Sequence, residues 1–475
     1  MVVVRHGSIM PRPTSRHDAG LTGGRDGYRL VVSTPRTLTL PAGVTRVQLD
    51  TSRGSFAALT AGPPDSALPV VLLVPGWTGS KEDFATLLGP LAAAGRRVLA
   101  LDQRGQFETP GTDREEDYTL PSLAADVLAA ADAVTTDPVD LVGHSFGGLV
   151  VAQAVLDDPL RLSSATLLCS GPGAVPPPSR PALRQVLAAL RELGPEGTWQ
   201  AMREHERASG LLAPPEDIEA WLHRRFVRTH PRALAAKTRH LLTAVDPRDG
   251  LRERPTPMLV LTGELDDGWP VDQQADLASA IGAEMDVLDG LGHSPAVEDP
   301  DRTGERLNAF FDRWVPRGPQ LDVTLGCAPS EVSRVRHLVR STFESVLAAQ
   351  RLDDAELATS ELVTNAVLHA TAPTRVAMRV QGGHLVAVVS DSGEGLPSAA
   401  RTDHGRGLLV VRSIAQRCGS WTTADGGTVW FWLAVEPEDG PTGQGGTGPV
   451  AASGSSAAHG STAGPVWIPS GHEAW

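Results

Sequence analysis

One eight-residue stretch constrains the fold of this chain most strongly. Residues 141–148 read Leu-Val-Gly-His-Ser-Phe-Gly-Gly; the largely apolar residues 139–142 predict a strand, and residues 148–156 predict a helix. A serine at a strand-to-helix corner has a strained backbone, and the positions two before and two after it lie so close to neighbouring backbone that they require glycine. The stretch therefore predicts an exposed Ser145 hydroxyl at a helix N-terminus, where the helix dipole favours a developing negative charge.

Length and charge limit the partners and the compartment of the chain. Its 475 residues predict two domains, and a formal net charge of −14 argues against nucleic acid or an acidic membrane as a partner. No apolar run approaches the roughly 18 residues of a membrane span, and the apolar segment at the N-terminus is too short for a secretory signal. Three scattered cysteines indicate a reducing compartment. We therefore predict a cytoplasmic protein.

Changes in composition divide the chain into four parts. The expected parts are a flexible leader (1–42), a first domain (43–316), a second domain (317–437) and a disordered tail (438–475). Residues 315–320 are rich in proline and glycine, which predicts a linker between the two domains. The leader and the tail are rich in glycine, serine, threonine and proline, so neither is expected to form a packed core.

The first domain alternates strands with helices. A fully apolar run such as 69–74 is typical of a buried strand, and the alternation predicts a doubly wound parallel α/β sheet with right-handed crossovers. Residues 174–254 interrupt this alternation, because they contain much Arg, Glu, Trp and Pro and no strand signal. They predict a helical lid over the mouth of the sheet.

Chemistry at a serine hydroxyl needs a base and a carboxylate that orients the base. Asp266 follows one predicted strand and His293 follows the next, and the order serine, aspartate, histidine is the one that this architecture uses. Glu264 and Asp267 are rival acids, ranked below Asp266. His144 lies on the strand itself and is predicted to point away from the position of a base.

Five motifs of the first domain resemble those of the α/β-hydrolase family. They are Pro75-Gly76-Trp77, Asp102-x-Arg104-Gly105, Gly143-His144-Ser145-Phe146-Gly147, Gly263-x-x-Asp266-x-x-x-Pro270 and Gly292-His293. The resemblance implies hydrolysis of an ester, lactone or thioester without a cofactor, and the serine argues against epoxide hydrolases and haloalkane dehalogenases. The backbone N–H groups of Trp77 and Phe146 would hold the oxyanion. Gln106 and Phe107 replace small residues of the family and are expected to reshape the pocket wall.

The second domain has a different pattern of elements and three polar motifs. The order is strand, helix, helix, strand, strand, helix, strand, strand. A predicted helix carries Glu361, Asn365 and His369 along one side, because they are four residues apart. Glycine-rich segments follow a strand and open a helix, where backbone N–H groups can cradle phosphate. These segments contain Asp391, Gly393 and Gly395, and then Gly405, Arg406 and Gly407.

Together these motifs resemble the ATP-binding domain shared by sensor kinases, gyrase-type ATPases and bacterial anti-sigma serine kinases, the last in its actinobacterial form. The resemblance covers about residues 320–435 and implies a two-layer α/β fold. It also implies that Asn365 would ligate Mg²⁺, that Asp391 would read adenine, and that Glu361 would act as a base. His369 and the glycine motifs would complete the ATP site.

The two resemblances predict a serine hydrolase for a small acyl substrate, fused to an ATP-binding, anti-sigma-type regulatory domain. A sigma-factor or anti-sigma-antagonist protein would be its protein partner. Two alternatives stay open. In one, the hydrolase fold is a ligand receptor with little turnover; in the other, the protein is mainly a serine kinase of an anti-sigma antagonist, and the hydrolase fold is its sensor.

Overall fold

The computed structural model describes residues 33–369, 373–391, 406–423 and 426–436. Its strands are β1 (Thr45–Thr51), β2 (Gly54–Ala61), β3 (Val71–Val74), β4 (Val98–Leu101), β5 (Val139–His144), β6 (Leu162–Leu168), β7 (Met258–Gly263), β8 (Glu284–Leu288), β9 (Pro316–Leu325), β10 (Thr374–Gln381), β11 (His384–Asp391), β12 (Arg417–Thr423) and β13 (Gly426–Ala434).

The helices lie between these strands. They are α1 (Leu88–Ala93), α2 (Leu120–Val134), α3 (Phe146–Asp157), α4 (Arg180–Ala208), α5 (Glu216–Arg228), α6 (Pro231–Thr243), α7 (Arg248–Arg252), α8 (Val271–Ile281), α9 (Pro295–Glu298), α10 (Pro300–Trp314), α11 (Ser330–Phe343), α12 (Ala349–His369) and α13 (Arg406–Ile414). Within the described ranges, every helix is too short or too polar to cross a membrane.

The first sheet has eight strands in the order β1-β2-β4-β3-β5-β6-β7-β8. The strands from β4 to β8 pair in parallel, as predicted, whereas β1 and β2 form an antiparallel hairpin at the edge. The central strands are wholly apolar or buried because helices cover both faces of the sheet. The parallel arrangement brings the carboxyl ends of β3, β5, β6, β7 and β8 to one edge, where ligands bind in such sheets.

The stretch predicted as a lid is helical. Helices α4 to α7 lie between β6 and β7, and that fully described stretch contains no strand. Helix α4 breaks at Gly194, which has a φ of +67° and is followed by a proline. Arg225 of α5 anchors this insertion, because its buried guanidinium lies 2.6 Å from the buried carboxylate of Asp83, in the turn that follows β3.

The second sheet has five antiparallel strands in the order β12-β13-β11-β10-β9. Apolar side chains of α11, α12 and α13 cover one of its faces, with Leu362 and Val363 packed in the same core as Val389. The other face carries Val386, Val388, Trp430 and Trp432, which pack with Leu160 and Trp314 of the preceding domain. The observed order of elements matches the predicted order.

The predicted linker is instead the start of a strand. Strand β9 begins at Pro316, two residues after α10 ends at Trp314, and pairs with β10 as the outer strand of the second sheet. Proline and glycine are tolerated there because an edge strand leaves one row of backbone N–H groups unpaired. The described residues of both sheets belong to one compact unit.

Candidate active site

Ser145 lies at a sharp corner between β5 and α3. Its φ of +53° and ψ of −119° fall outside the regions that most side chains allow, and its backbone N–H donates to the Leu168 carbonyl oxygen at 2.9 Å. The serine is half-buried, while the residues on both sides of it are buried. This conformation is the strained corner that the sequence predicts, and it presents the hydroxyl at the carboxyl edge of the sheet.

The two flanking glycines are required by close contacts with neighbouring backbone. A Cβ on Gly143 would lie 2.3 Å from the Gly147 carbonyl oxygen, and a Cβ on Gly147 would lie 2.2 Å from the Val74 carbonyl oxygen. Because both obstacles are backbone atoms, they cannot move aside as a flexible side chain would. The corner therefore depends on packing against the end of β3 as well as on its own backbone conformation.

The structure places Asp266 and His293 in direct contact. His293 Nδ1 lies 2.6 Å from Asp266 Oδ1, and Asp266 also accepts hydrogen bonds from the Gly268 N–H at 2.8 Å and from Gln274 Nε2 at 2.7 Å. Burial alone would lower the pKa of His293, but the Asp266 carboxylate outweighs it and raises that pKa above its ordinary value. Burial alone would raise the pKa of Asp266, but His293 and the hydrogen bonds that Asp266 accepts outweigh it and lower that pKa.

His144 links the serine corner to the histidine loop. Its ring lies 5.1 Å from the His293 ring, and its Nε2–H donates to the His293 carbonyl oxygen at 2.6 Å. Burial, together with the neighbouring His293, lowers the pKa of His144 to about 4, so the ring is neutral at pH 7. His144 therefore holds the backbone of His293 in place beside the serine corner, and its Nε2 is occupied.

Two residues that sequence reasoning did not single out support the Asp266–His293 pair. Gln274 of α8 donates to Asp266, as described above. The Glu298 carboxylate of α9 accepts hydrogen bonds from the backbone N–H groups of Gly292 at 2.6 Å and Ser294 at 2.8 Å. It therefore holds the loop on both sides of His293. The rival acid Glu264 accepts from the Gly290 N–H at 2.8 Å, in the same loop.

A metal ion does not fit this cluster. Ligand atoms of Cys169, Asp266 and His293 lie within 4.8 Å of one another. However, the carboxylate and the imidazole are bonded to each other, and burial raises the pKa of the Cys169 thiol well above its ordinary value. Because a metal ligand would have to be the thiolate, the buried thiol and the carboxylate already bonded to the imidazole do not suit a metal ion.

The two proposed oxyanion donors come from two separate segments of the chain. Phe146 directly follows it as the first residue of α3, and Trp77 follows Gly76 in the loop after β3. A Cβ on Gly76 would lie 3.3 Å from Ser145 Cβ, so this loop touches the corner. Phe107 packs edge-on against Trp221 of α5, with the ring centres 5.8 Å apart.

The described part of the second domain contains three of the predicted ATP-site side chains. Asp391 is buried at the end of β11, and its Oδ1 accepts the Gly427 N–H of β13 at 3.1 Å. Glu361 and Asn365 lie half-buried, one turn apart on α12. Only the backbone is described for His369, Arg406 and Gly407. Three further predicted glycines lie outside the described residues: Gly393, Gly395 and Gly405.

One family match falls on each of the two sheets, and strands β1, β2 and β9 lie outside the matched residues. Residues 71–306 match the Alpha/beta hydrolase family, and residues 327–432 match the Histidine kinase-like ATPase domain. The first match contains the serine corner, the helical insertion α4–α7 and the histidine loop, whereas the second contains Glu361, Asn365 and Asp391.

Known proteins resemble the hydrolase part of the chain. The chain is 41% identical over 107 residues to "Putative carbamate hydrolase RutD" of Variovorax paradoxus, covering 22% of this chain and 39% of that protein. It is 27% identical over 252 residues to pimeloyl-[acyl-carrier protein] methyl ester esterase of Aeromonas hydrophila, covering 51% and 95%. The enol-lactonase structure from Burkholderia xenovorans LB400 is 19% identical, with a TM-score of 0.48 and coverage of 56% and 100%. The chain spans about two fifths of the length of the first curated relatives that it matches.

Proposed function

Because the chain joins an alpha/beta hydrolase domain to a histidine kinase-like ATPase domain, we propose that it hydrolyses a small ester, lactone or similar acyl substrate under the influence of a nucleotide-binding domain. One observation carries the hydrolase proposal. Ser145 has a φ of +53° at the β5–α3 corner, on the same edge of the sheet as the bonded pair Asp266 and His293. Such strain persists only where the surrounding structure enforces it, and here it exposes a nucleophile.

The proposed reaction has two halves. In the first, Ser145 Oγ attacks the substrate carbonyl carbon while His293 takes the hydroxyl proton; His293 then returns this proton to the leaving group as its bond breaks. In the second, His293 takes a proton from water as the water oxygen attacks the acyl carbon, and His293 then returns this proton to Ser145 Oγ as the acyl–Oγ bond breaks and the acid product leaves. Asp266 orients His293 and stabilises its protonated form, and the N–H groups of Trp77 and Phe146 face the developing oxyanion.

A covalent probe tests the identity of the nucleophile. The serine oxygen displaces fluoride from a fluorophosphonate and becomes phosphonylated, so wild-type protein should gain one adduct, located on the Ser145 peptide by mass spectrometry. His293→Ala should lower the labelling rate at least about a hundredfold, because the base is lost. Equal labelling of wild type and Ser145→Ala, or an adduct on another serine, would contradict the proposal.

For the second domain we propose binding of ATP with Mg²⁺. The donor types suit this ligand: a buried carboxylate at Asp391 can accept from an adenine amino group, and the amide oxygen of Asn365 would hold Mg²⁺, which would neutralise phosphate charge. Equilibrium binding of labelled ATP should weaken at least about tenfold in Asp391→Asn and in Asn365→Ala. Transfer of label to a serine-bearing protein of the anti-sigma-antagonist type would extend the proposal to a kinase and to a sigma-factor network in the cytosol.

Contacts between the two domains support a coupling between nucleotide and hydrolase. Trp430 Nε1 donates to the Glu253 carbonyl oxygen at 2.8 Å, directly after lid helix α7, and the Ser420 N–H donates to the Glu253 carboxylate at 3.3 Å. Trp430 lies on β13, the strand that also supplies the Gly427 N–H to Asp391. One strand therefore contacts both the proposed adenine site and the end of the lid.

A second set of contacts fastens the two sheets together. The half-buried Arg379 of β10 donates to two carbonyl oxygens. One is that of Leu160, just before β6, at 3.2 Å, and the other is that of Leu162, the first residue of β6, at 2.7 Å. Trp314 and Trp432 pack with their ring centres 5.3 Å apart. We propose that these contacts keep the two sheets together, whereas a change at the nucleotide site would reach the hydrolase through the bond between Trp430 and Glu253.

A further inference from the structure

Two buried glutamines hold the loop that carries Trp77. Gln103 and Gln106 follow β4, and they are 4% and 0% exposed. Gln103 Nε2 donates to the Pro75 carbonyl oxygen at 2.6 Å, and Gln106 Nε2 donates to the Gly76 carbonyl oxygen at 2.8 Å. Gln106 Oε1 accepts the Gln103 N–H at 3.1 Å. Because one partner of the Gln106 amide only accepts and the other only donates, the orientation of that amide is determined.

The bond from Gln106 acts on a particular peptide group. The carbonyl of Gly76 and the N–H of Trp77 belong to the same peptide, which is planar and trans, so the oxygen and the hydrogen point in opposite directions. Because Gln106 Nε2 donates to the Gly76 oxygen on one side of this peptide, it fixes the direction of the Trp77 N–H on the other side. Gly76 itself touches Ser145, since a Cβ on it would lie 3.3 Å from Ser145 Cβ.

The geometry points to Gln106 as a positioning residue of the oxyanion hole. By holding the Gly76 oxygen, Gln106 aims the Trp77 N–H at the oxyanion and prevents the peptide from turning over. This inference rests on the proposed hydrolase function. It assigns a role to a fully buried glutamine, and that role concerns the transition state, because the oxyanion forms only there.

Gln103 provides a matched comparison within the same turn. It is equally buried and also donates to a carbonyl of the loop, but the Pro75 oxygen belongs to the peptide whose N–H is that of Gly76. Loss of either side chain leaves a buried carbonyl without its donor and should lower the melting temperature similarly. Only loss of the Gln106 donor frees the peptide that carries the Trp77 N–H.

The test compares Gln106→Leu, Gln106→Glu and Gln103→Leu with wild type, using p-nitrophenyl butyrate. Gln106→Glu keeps the size of the side chain and an acceptor for the Gln103 N–H, so it covers the case in which the leucine variant does not fold. Affinity is also measured for a trifluoromethyl ketone, which forms an oxyanion on serine attack, and for the matching methyl ketone.

Both Gln106 variants should lower kcat at least about tenfold and keep KM within about threefold of wild type. They should weaken binding of the trifluoromethyl ketone by a similar factor and leave binding of the methyl ketone unchanged. Gln103→Leu should change kcat by less than about threefold. The inference is overturned if the Gln106 variants keep kcat and ketone affinity, or if Gln103→Leu loses as much kcat as they do. Wild-type turnover no faster than that of Ser145→Ala would instead overturn the proposed function on which the inference rests.

Discussion

His293 Nδ1 lies 2.6 Å from Asp266 Oδ1, and this contact determines how the imidazole titrates. The carboxylate is almost fully buried and also accepts from Gly268 and Gln274. Held in this way, it orients the ring and favours the protonated form, which raises the pKa of His293 above its ordinary value although burial acts in the opposite direction. A general base with this pKa is most effective at neutral to mildly alkaline pH.

The pH profile of Asp266→Asn tests this relationship. In wild type, kcat/KM should increase as pH rises through the His293 pKa, above about 6.5, because only the neutral ring accepts the serine proton. In the variant the attraction is lost while burial remains, so this increase should move to lower pH. The maximal rate should also fall about 10³–10⁴-fold, since the ring loses its orientation. An unmoved profile with full activity would show that Asp266 does not serve His293.

A substitution at Gly147 tests the packing of the serine corner. Gly147→Ala should destabilise the fold by about 2–3 kcal/mol, because the new Cβ would lie 2.2 Å from the Val74 carbonyl oxygen and the backbone would have to shift. Gly89→Ala is the control: its Cβ would meet nothing within 4 Å, and it lies in α1, where alanine is favoured. The stability of both variants is measured by urea unfolding. Equal unfolding midpoints for Gly147→Ala and Gly89→Ala would contradict the prediction that the Gly147 site has no room for a Cβ.

The order of elements could be predicted from sequence because buried strands and helices show regular patterns of apolar residues. Strand β3 (Val71–Val74) lies within the apolar run 69–74 that predicts a buried strand, and helix α3 (Phe146–Asp157) includes the predicted helix at 148–156. Only the first half of β9, residues 316–320, was wrongly predicted as a linker. Pro316, Gly318 and Pro319 are turn signals, and only the pairing with β10 shows that they lie in an edge strand.

The supporting residues of the site could not be predicted in the same way. Gln106, Gln274 and Glu298 act through hydrogen bonds to residues that are near in space, and a glutamine or glutamate carries no signal of its partner. The strained serine and the order of acid and base, by contrast, follow from local spacing and from the rule that parallel strands end at one edge. Their roles as nucleophile, acid and base stay proposals for experiment.

A tryptophan pair tests the proposed coupling between the domains. Trp430→Phe keeps an aromatic ring but removes the bond to the Glu253 carbonyl oxygen at 2.8 Å. Basal ester turnover should stay within about twofold of wild type, whereas the ratio of rates with and without Mg·ATP should move toward one, because a hydrogen bond carries about 1 kcal/mol. The measurement is that ratio at saturating ester.

Trp432→Phe is the matched control for this variant. Trp432 lies on the same strand and in the same interface, but its indole N–H has no hydrogen-bond partner among the described residues. Its replacement should therefore leave the effect of Mg·ATP as in wild type. An unchanged ratio in Trp430→Phe, or an equal loss in both variants, would contradict the proposed route.

The most direct test of the central claim is turnover of a chain-length panel of p-nitrophenyl esters by wild type and Ser145→Ala, with and without Mg·ATP. Wild type should turn over at least one ester, and the variant should lose at least about 10³-fold of that rate, because the nucleophile is gone. Wild-type rates no higher than those of Ser145→Ala on every ester would contradict the proposed hydrolase function and favour a receptor that binds its ligand without turnover.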